Sequence, residues 1–342
     1  MNRRHPARFP RDDQRVYDAY IAGRQSAAVS VAVRIGLFEL LESDGPLPEE
    51  AIRERFGYHA RPLRAVLGAL FAMGLLERTG AGGYRLAPDA SDYLVRGKPG
   101  WLGGLLDMEV ENFLSPESLL TALKEGRPTV YGEEDPWEAH TADPERARTF
   151  TEAMHSISER PAAGLAEVVD FTGVNRLLDV GGGSGALSLA IAGAHPHVEC
   201  VIWDLEVVCR LAEGYAARAG LADRVTARPG DMFGEPLPEG FDAVLYSQIF
   251  HDWPPEKDLD LARKAFAALP SGGRILVHEK LVDDDGRGPL ANALVNLDMA
   301  LWTEGQQFTE SGLRELLAAA GFRETQRAET AGYWSVVTAR KP

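Results

Sequence analysis

Leu177-Leu178-Asp179-Val180-Gly181-Gly182-Gly183-Ser184-Gly185 is the stretch that decides the fold of this chain, and Ala186-Leu187-Ser188-Leu189-Ala190 continues it. An apolar run closes on an acid, passes through four glycines in five positions and opens a helical pattern. Glycine permits positive φ angles and lets a ligand approach the backbone, and the first N–H groups of a helix lack partners within it. The stretch therefore predicts a strand, a tight ligand-binding turn and a helix.

The glycine turn fits two cofactor patterns. A dinucleotide fingerprint G-x-G-x-x-A begins at Gly181 and is followed by Asp204 after about twenty residues. The alternative is the D-x-G-x-G-x-G loop that S-adenosylmethionine (SAM) enzymes wrap around the amino-acid end of their cofactor, formed here by Asp179, Gly181, Gly183 and Gly185. The sequence of the turn alone does not distinguish between a dinucleotide and SAM.

Size and charge restrict the class of protein. The 342 residues give room for about two domains. The net charge of −15 argues against nucleic acid or an anionic membrane as the main partner, because both bind basic surfaces. No apolar stretch has the length of a membrane span, and the N-terminus lacks an apolar signal core. Cys200 and Cys209 form no C-x-x-C pair, so we expect a cytoplasmic protein with reduced thiols and no membrane partner.

The N-terminal part has the pattern of a winged helix. A long helical pattern runs from 16 to 41 and is apolar on most sides, which indicates packing on a second copy of the chain. A second helix from Arg61 to Met73 precedes two short strands, 75–78 and 83–86. DNA binding is one interpretation of this pattern. A dimerisation and substrate-lid module is favoured, because that helix carries only Arg61 and Arg64 as basic residues.

Helices broken by proline and glycine follow over 88–160, and strands then alternate with helices from Ala162 onward. Phe150 and Met154 either make core contacts between domains or line an apolar pocket for a flat substrate, and both interpretations stay open. The alternation predicts a parallel sheet with right-handed crossovers. The predicted domains are 1–100 (winged-helix dimerisation domain), 101–161 (helical linker and substrate-pocket helices) and 162–342 (cofactor-binding domain).

Candidate site residues follow the predicted strands at 176–180, 198–203, 224–228, 241–247 and 273–279, where ligands bind in such sheets. Asp204, followed by Leu205, ends the second strand, and a carboxylate there can accept hydrogen bonds from both ribose hydroxyls of SAM or NAD. After the third strand, Asp231 can accept from the exocyclic amine of adenine, while Met232 packs on its face beside Phe233.

His251 follows the fourth strand, four residues after Ser247. A neutral imidazole near pH 7 can take a proton from a phenol or another hydroxyl as the acceptor is methylated. Glu279 ends the fifth strand and could bind the other ring nitrogen of His251, which would hold its tautomer. A hydride-transfer site would leave Asp231 and His251 without a role, so this set of residues favours SAM over NAD.

On these motifs the chain resembles the plant-type O-methyltransferases, the group of caffeic acid and acetylserotonin methyltransferases and their bacterial natural-product relatives. The matching stretches are Leu178-Asp179-Val180-Gly181-Gly182-Gly183-Ser184-Gly185, Gly230-Asp231-Met232-Phe233, His251-Asp252-Trp253, and Asp283-Asp284-Asp285-Gly286-Arg287-Gly288-Pro289 leading to Thr303-Glu304-Gly305-Gln306-Gln307-Phe308-Thr309. The resemblance implies an α/β fold with a class I SAM-methyltransferase, Rossmann-like doubly wound sheet at the C-terminus. It also implies an N-terminal all-helical winged-helix domain and a homodimer whose N-terminal helices interlock.

By position, the resemblance implies that Asp204 holds the ribose, that Asp231 and Met232 hold the adenine, and that Glu279 orients the base His251.

Two positions depart from the family pattern. Gln307 stands where the family has a second glutamate near the histidine, and Ser247 stands where members often have a basic residue. A glutamine can hydrogen-bond an imidazole but cannot stabilise its charged form. Both departures leave the cofactor site intact and bear on the identity of the acceptor.

The sequence thus predicts a SAM-dependent methyltransferase that releases S-adenosylhomocysteine (SAH), uses no metal and methylates a hydroxyl of a small, aromatic secondary metabolite. The candidate catalytic residues are His251, Glu279 and Gln307. The candidate cofactor residues are Asp179, Gly181, Gly183, Gly185, Asp204, Leu205, Asp231, Met232, Phe233 and Ser247. The candidate substrate residues are Phe113, Phe150, Met154, Asp252, Trp253, Met299 and Trp302.

Three alternatives remain open. One is C-methylation at a phenol ortho carbon or beside a keto group, where a keto-acid acceptor could recruit a divalent metal through His251 and Asp252. Another is a SAM-binding relative that catalyses a different reaction, since fold does not settle reaction. The third is a winged-helix regulator that senses a ligand.

Overall fold

The computed structural model describes residues 12–80, 82–109, 114–130 and 142–342, with residues 107–109 described by their backbone alone. The chain divides into two compact units, residues 1–110 and 111–342. The first unit has one hydrophobic core cluster, and the second has two clusters that lie on opposite faces of a sheet.

The N-terminal unit combines helices with a two-stranded wing. Strand β1 (Leu76–Arg78) pairs antiparallel with β2 (Tyr84–Leu86), within a residue of the predicted positions. The helices of this unit are Gln14–Ile21, Gly23–Arg34, Leu37–Asp44, Glu49–Phe56, Ala60–Ala72, Pro88–Leu94 and Gly103–Glu109.

The single helix expected over 16–41 is wrong, because this stretch forms three helices. Gly36 has a φ of +71°, a left-handed conformation that separates the second helix from the third. The first helix buries none of its residues within the chain. Its apolar side chains are exposed instead: Val16 is 74% exposed, Tyr17 56% and Tyr20 64%.

The helix Ala60–Ala72 is the second helix of the predicted winged helix. It turns Leu63 and Leu67 into the core of the unit, where both are almost fully buried. On its outer side, Arg64 forms an ion pair with Glu49 at 2.8 Å. One of the two basic side chains that could face DNA is therefore already neutralised.

The strands of the C-terminal unit are β3 (Arg176–Val180), β4 (Glu199–Asp204), β5 (Val225–Pro229), β6 (Ala243–Ser247), β7 (Arg274–Glu279), β8 (Arg323–Glu329) and β9 (Ser335–Arg340). They form a seven-stranded, mostly parallel sheet in the order β5-β4-β3-β6-β7-β9-β8, in which β9 runs antiparallel to both of its neighbours, β7 and β8. The chain enters the sheet at β3, moves outward to β5 and returns to β6 on the other side of β3, which makes the β3–β6 junction a topological switch point.

The strand β3 shows why the sequence folds this way. Leu177 packs into the core cluster on one face of the sheet, while Leu178 and Val180 pack into the cluster on the other. A strand buried on both faces is a continuous apolar run in the sequence. The acid at the end of that run, Asp179, lies where the chain leaves the sheet.

Helices cover both faces of this sheet. The helix Pro144–Val168 runs through the expected domain boundary between 161 and 162. The helix Leu290–Trp302 was not predicted. The described helices of the unit are Pro116–Glu125, Pro144–Val168, Ala186–Ala194, Glu206–Arg218, Pro255–Ala268, Leu290–Trp302 and Glu310–Ala319, with a short 3₁₀ turn at Phe250–Asp252.

In the part of the chain that the structure describes, none of the helices combines the length and apolar character that crossing a bilayer requires.

Candidate functional site

The glycine turn leaves β3 at the switch point. Gly181, Gly183 and Gly185 have φ angles of +65°, +57° and +79°, which disfavour residues with a side chain. A Cβ atom on Gly181 would lie 2.3 Å from Ile249 Cδ1, and one on Gly185 would lie 2.4 Å from Ile202 Cδ1. Glycine is therefore required at these two positions by backbone conformation and by packing.

Asp204, at the end of β4, contacts the glycine turn. Its Oδ2 atom accepts a hydrogen bond from the Gly183 N–H at 2.8 Å, and its Oδ1 atom accepts one from the Leu205 N–H at 2.6 Å. Burial raises the pKa of this carboxyl group, and the two N–H donors oppose that rise by stabilising the charged form. The remaining lone pairs of the carboxylate can accept hydrogen bonds from a vicinal diol.

Asp179 lies beneath the turn. It is 1% exposed, and its Oδ2 atom accepts a hydrogen bond from Ser188 Oγ at 2.7 Å. A Cβ atom on Gly182 would come within 2.6 Å of the Asp179 carboxyl carbon. Burial raises the pKa of Asp179 to about 7, against the opposing effect of the Ser188 hydrogen bond. Asp179 therefore packs against the turn from the protein interior and stabilises its conformation.

The turn after β5 carries three of the predicted cofactor residues. The exposed Asp231 accepts a hydrogen bond at Oδ1 from the Phe233 N–H at 2.8 Å. Lys264 donates from Nζ to the backbone oxygens of Met232 at 2.9 Å and Phe233 at 2.5 Å. The N–H of Gly230 donates to the Asp204 backbone oxygen at 3.0 Å. These bonds fix the turn beside the end of β4.

Ser247, the last residue of β6, belongs to a chain of hydrogen bonds inside the sheet. Its Oγ atom lies 3.0 Å from Nδ1 of His278, and Nε2 of His278 lies 3.0 Å from Oγ1 of Thr330. Burial lowers the pKa of His278 to about 3, so this ring is neutral and one of its nitrogens donates while the other accepts. These two hydrogen bonds orient the Ser247 hydroxyl.

His251 lies in the short turn after β6 and contacts two carboxylates. Its Nδ1 atom is 2.7 Å from Oε2 of Glu279, the contact that the sequence predicted, and its Nε2 atom is 3.5 Å from Oδ1 of Asp252. Glu279 is fully buried. The Oε1 atom of Glu279 accepts hydrogen bonds from the N–H groups of Ile249 at 3.1 Å and Phe250 at 3.2 Å. The carboxylate is thereby fixed relative to the ring.

The charge of His251 is set by burial and by its two carboxylate neighbours. Burial alone would lower the pKa of His251, but the carboxylates of Glu279 and Asp252 outweigh burial and raise this pKa to about 9. Burial raises the pKa of Asp252 to about 7, against the opposing effect of His251. This raised pKa favours the imidazolium in the ligand-free chain near pH 7, so His251 acts as a base only after it loses that proton.

Gln307 completes the surroundings of His251. Its Nε2 atom lies 3.3 Å from Nδ1 of His251, and its backbone N–H donates to Oδ1 of Asn296 at 2.7 Å. Gln307 is 4% exposed, and it borders a cavity of about 630 Å³ together with Asn296. Sequence reasoning missed Asn296 because it missed the helix Leu290–Trp302.

The helix Pro144–Val168 carries two of the predicted acceptor residues. Phe150 and Met154 are half-buried and share one helical face with Ser158, four residues further on. Ser158 Oγ accepts a hydrogen bond from Nε2 of Gln248 at 3.1 Å. This face therefore meets the chain directly after β6. Ser158 and Gln248 are not among the predicted site residues. The sequence indicates them only by position: Ser158 lies four residues after Met154, and Gln248 lies three residues before His251.

The remaining predicted acceptor residues lie in different surroundings. Met299 and Trp302 are half-buried on the helix that carries Asn296. Trp253 lies in the core, where its ring packs edge-on against Phe233 with 4.6 Å between ring centroids. Phe113 lies outside the described residues.

Among the described residues, no group of three or more histidine, cysteine, aspartate or glutamate side chains is arranged to hold a metal ion.

Two known domains match the two parts of the chain. The O-methyltransferase domain matches residues 117–323, and the O-methyltransferase dimerisation domain matches residues 19–96. Each match lies within one of the two compact units.

Individual proteins are similar over most of the chain. The 3-hydroxy-5-methyl-1-naphthoate 3-O-methyltransferase of Streptomyces sahachiroi is 37% identical over 88% of this chain and 87% of its own length. The L-tyrosine C(3)-methyltransferase of Streptomyces lavendulae is 33% identical over 89% of this chain and 86% of its own length. The crystal structure of human N-acetylserotonin methyltransferase in complex with SAM has a TM-score of 0.86 at 27% identity, over 98% of this chain and 99% of that chain.

Proposed function

Since this chain belongs to the O-methyltransferase family and is a SAM-dependent methyltransferase, we propose that it methylates a hydroxyl group of a small aromatic acceptor with His251 as the general base. One observation carries this proposal. The 2.7 Å contact between Nδ1 of His251 and the buried Glu279 occupies one ring nitrogen. Nε2 has a longer contact, 3.5 Å from Oδ1 of Asp252, and is the nitrogen that we assign to the acceptor.

The residues around the switch point suit SAM. The glycine turn offers a backbone surface that side chains cannot cover, and we assign the amino-acid end of SAM to it. We assign the ribose hydroxyls to Asp204, whose carboxylate is held in place by two N–H groups. We assign the adenine to Asp231 and Met232 on the neighbouring turn. When bound, SAM supplies an electrophilic methyl group on a sulfonium centre.

The contribution of this chain to the reaction is then proximity and proton transfer. Its residues would hold the acceptor hydroxyl close to the methyl group of bound SAM. Nε2 of His251 takes the hydroxyl proton, and Glu279 stabilises the resulting imidazolium through Nδ1. Because Oε1 of Glu279 is anchored by two backbone N–H groups, the carboxylate keeps the ring orientation during proton transfer.

For the acceptor itself we propose a flat aromatic molecule of the secondary-metabolite type. Phe150 and Met154 offer an aromatic and a thioether surface on one helical face, and Met299 with Trp302 offers a similar pair on another helix. The naphthoate substrate in the name of the Streptomyces sahachiroi relative has the flat shape that such walls accommodate.

C-methylation is a second candidate, and Gln307 is the observation that favours it. A neutral amide beside His251 stabilises an imidazolium less than a carboxylate would. Carbon acceptors such as the ortho position of a phenol are activated by the ring itself, and the Streptomyces lavendulae relative is named as a C-methyltransferase. Product analysis by NMR separates an O-methyl group from a C-methyl group.

We propose a homodimer formed through the N-terminal helices, with no nucleic acid as partner. The exposed Val16, Tyr17 and Tyr20 present an apolar face suited to a second copy. The O-methyltransferase dimerisation domain matches residues 19–96, which include Tyr20 and the helices that follow it. The ion pair of Arg64 with Glu49 neutralises one of the two basic side chains on the second helix of the winged helix, and the net charge of −15 disfavours DNA binding. Light scattering should give the mass of two chains, and a monomer mass would contradict the dimer.

The experiment that tests the proposed function is calorimetry with SAM and SAH, with NAD as the control ligand, followed by an acceptor screen with isotope-labelled methyl. Binding of SAM and SAH without NAD, and transfer of the label to a phenolic oxygen, are the expected results. Label on carbon would favour the second candidate, and failure to bind either ligand would contradict the proposal.

A further inference from the structure

His155 lies on the helix Pro144–Val168, outside the residues assigned to the reaction, and contacts the glycine turn. We infer that His155 is a positioning residue for the cofactor, because it holds the Ser184 hydroxyl and with it the backbone of the turn. This inference rests on the proposed role of the turn in binding SAM. His155 would be a second anchor, besides Asp204, for a turn whose glycines give its backbone unusual conformational freedom.

The contact itself is short and buried. Nδ1 of His155 lies 2.7 Å from Oγ of Ser184, and Ser184 is 5% exposed. The preceding residue, Gly183, donates its N–H to Asp204 at 2.8 Å. Neighbouring residues of the turn are therefore anchored to two different elements, β4 and the helix Pro144–Val168.

The imidazole of His155 is itself held in place. It stacks on the ring of Tyr215, with 4.0 Å between ring centroids and 28° between the planes. The guanidinium carbon of Arg218 lies 4.3 Å from the centroid of the same Tyr215 ring. Both residues belong to the helix Glu206–Arg218, which follows Asp204 in the chain. The ring has little freedom to follow Ser184 if the turn moves.

His155 is neutral in this environment. Burial and, to a smaller extent, the nearby Arg218 lower its pKa to about 4. Nε2 of His155 lies 3.9 Å from Oε1 of Glu159, which is too far for a hydrogen bond. A neutral ring can bind Ser184 through Nδ1 without adding charge beside the zwitterionic amino-acid end of SAM, so its effect on SAM comes through the geometry of the turn.

The physical need for this anchor comes from the glycines. Glycine loses more conformational freedom on ordering than any other residue, and this turn contains four of them in five positions. A hydrogen bond that fixes the turn in the free protein removes part of the ordering cost from SAM binding. Loss of the bond should therefore weaken the affinity for SAM and leave the chemistry at saturating SAM unchanged.

The test compares the full-length protein with four variants: His155→Ala, His155→Asn, Ser184→Ala and the double variant His155→Ala/Ser184→Ala. Calorimetry gives the Kd for SAM and SAH, and steady-state kinetics gives the KM for SAM and kcat. Each alanine substitution should raise Kd about three- to tenfold, with kcat at saturating SAM within about twofold of the parent. His155→Asn should recover part of the affinity, because its amide reaches the position of Nδ1.

The double variant is decisive, because both single substitutions remove the same hydrogen bond. Its Kd should equal that of either single variant. The inference would be overturned if the rise in Kd of the double variant were the product of the two single rises, or if Ser184→Ala left Kd unchanged. His195→Ala is the matched control: His195 also binds a neighbouring element, the Ala166 backbone oxygen at 2.8 Å, but lies at the far end of the helix that begins at Ala186.

The control variant should lose thermal stability without a rise in Kd for SAM. If His155→Ala does not fold, the comparison of Ser184→Ala with the parent still decides the outcome. A parent protein that binds neither SAM nor SAH would contradict the proposed function. A parent that binds SAM with variants that bind it equally well would overturn only this inference.

Discussion

Nδ1 of His251 lies 2.7 Å from Oε2 of Glu279, and the carboxylate is fully buried. A buried carboxylate is stable only when it is paired and hydrogen-bonded. Glu279 meets both conditions, through His251 on one oxygen and two backbone N–H groups on the other. The pair therefore links the stability of this region to the protonation of the base.

His251→Ala tests the base directly. If Nε2 takes the acceptor proton, turnover should fall about 10²- to 10⁴-fold while the Kd for SAM stays within about twofold. Turnover is measured by transfer of labelled methyl, and Kd by calorimetry. Since this substitution leaves Glu279 without its partner, His251→Gln serves as the control that retains a polar side chain. A fall of less than tenfold in both variants would place the base elsewhere.

The raised pKa of His251 predicts an alkaline pH dependence. The ring acts as a base only when neutral, so with a pKa of about 9 the rate should rise about tenfold per pH unit well below pH 9, reach half of its plateau near pH 9 and level off above it. Stability should change in the opposite direction. A folded pKa above the ordinary 6.5 stabilises the protein below pH 6.5, and this contribution is lost as the pH rises through 9. NMR titration of the imidazole and thermal unfolding against pH measure both effects.

Glu279→Gln separates the charge of the carboxylate from its shape. Removal of the negative charge beside Nδ1 should lower the pKa of His251, so the acid limb of the pH–rate profile moves to lower pH. The plateau rate should fall, because the imidazolium formed during proton transfer loses its stabilising partner. The control is the pH–rate profile of the parent with the same acceptor. Because the acceptor pKa is then the same in both profiles, a difference between them comes from the protein. An unshifted limb would contradict the assignment of this limb to His251.

Asp204→Ala should weaken SAM binding by about tenfold or more, because it removes both the proposed ribose acceptor and the partner of the Gly183 N–H. Calorimetry with SAM and SAH measures the change. Asp242→Ala is a matched control, since Asp242 also accepts two backbone N–H groups, those of Asn175 and Arg176, where the chain enters β3 and β6. It should cost stability and leave Kd unchanged. Equal affinity in Asp204→Ala and the parent would remove Asp204 from the site.

Much of the fold can be predicted from the sequence where a local pattern has one solution. The five parallel strands lie within about two residues of their expected positions. Strands β3, β6 and β7, which are largely buried, are continuous apolar runs bounded by turns. The break at Gly36 was not predicted, since an isolated glycine in a helical pattern does not show whether its φ is positive. The helix Leu290–Trp302 was missed although Leu290, Leu294, Leu297 and Leu301 follow helical spacing.

The site could be predicted only in part, because some of its residues are placed by the sheet and others by the packing of helices. Residues at strand ends, such as Asp204 and Glu279, are placed by the sheet, so their proximity to the glycine turn and to His251 follows from the topology. Residues on helices, such as Asn296 and His155, are placed by packing between elements far apart in the sequence. The charge of His251 depends on burial and on two carboxylates at once, and spacing in the sequence reveals neither quantity.

Gln307→Glu tests whether the acceptor is oxygen or carbon. A carboxylate 3.3 Å from Nδ1, in place of the amide, would add a second negative charge beside the imidazolium and strengthen the base. For an O-methyltransferase with a weakened base, the plateau rate of methyl transfer should rise and the acid limb should move to higher pH. Asn296→Ala is the companion variant, because it removes only the hydrogen bond to the Gln307 backbone and changes no charge. A lower rate of O-methylation in Gln307→Glu, with the limb shifted as expected, would show that the amide serves a different acceptor and would favour C-methylation.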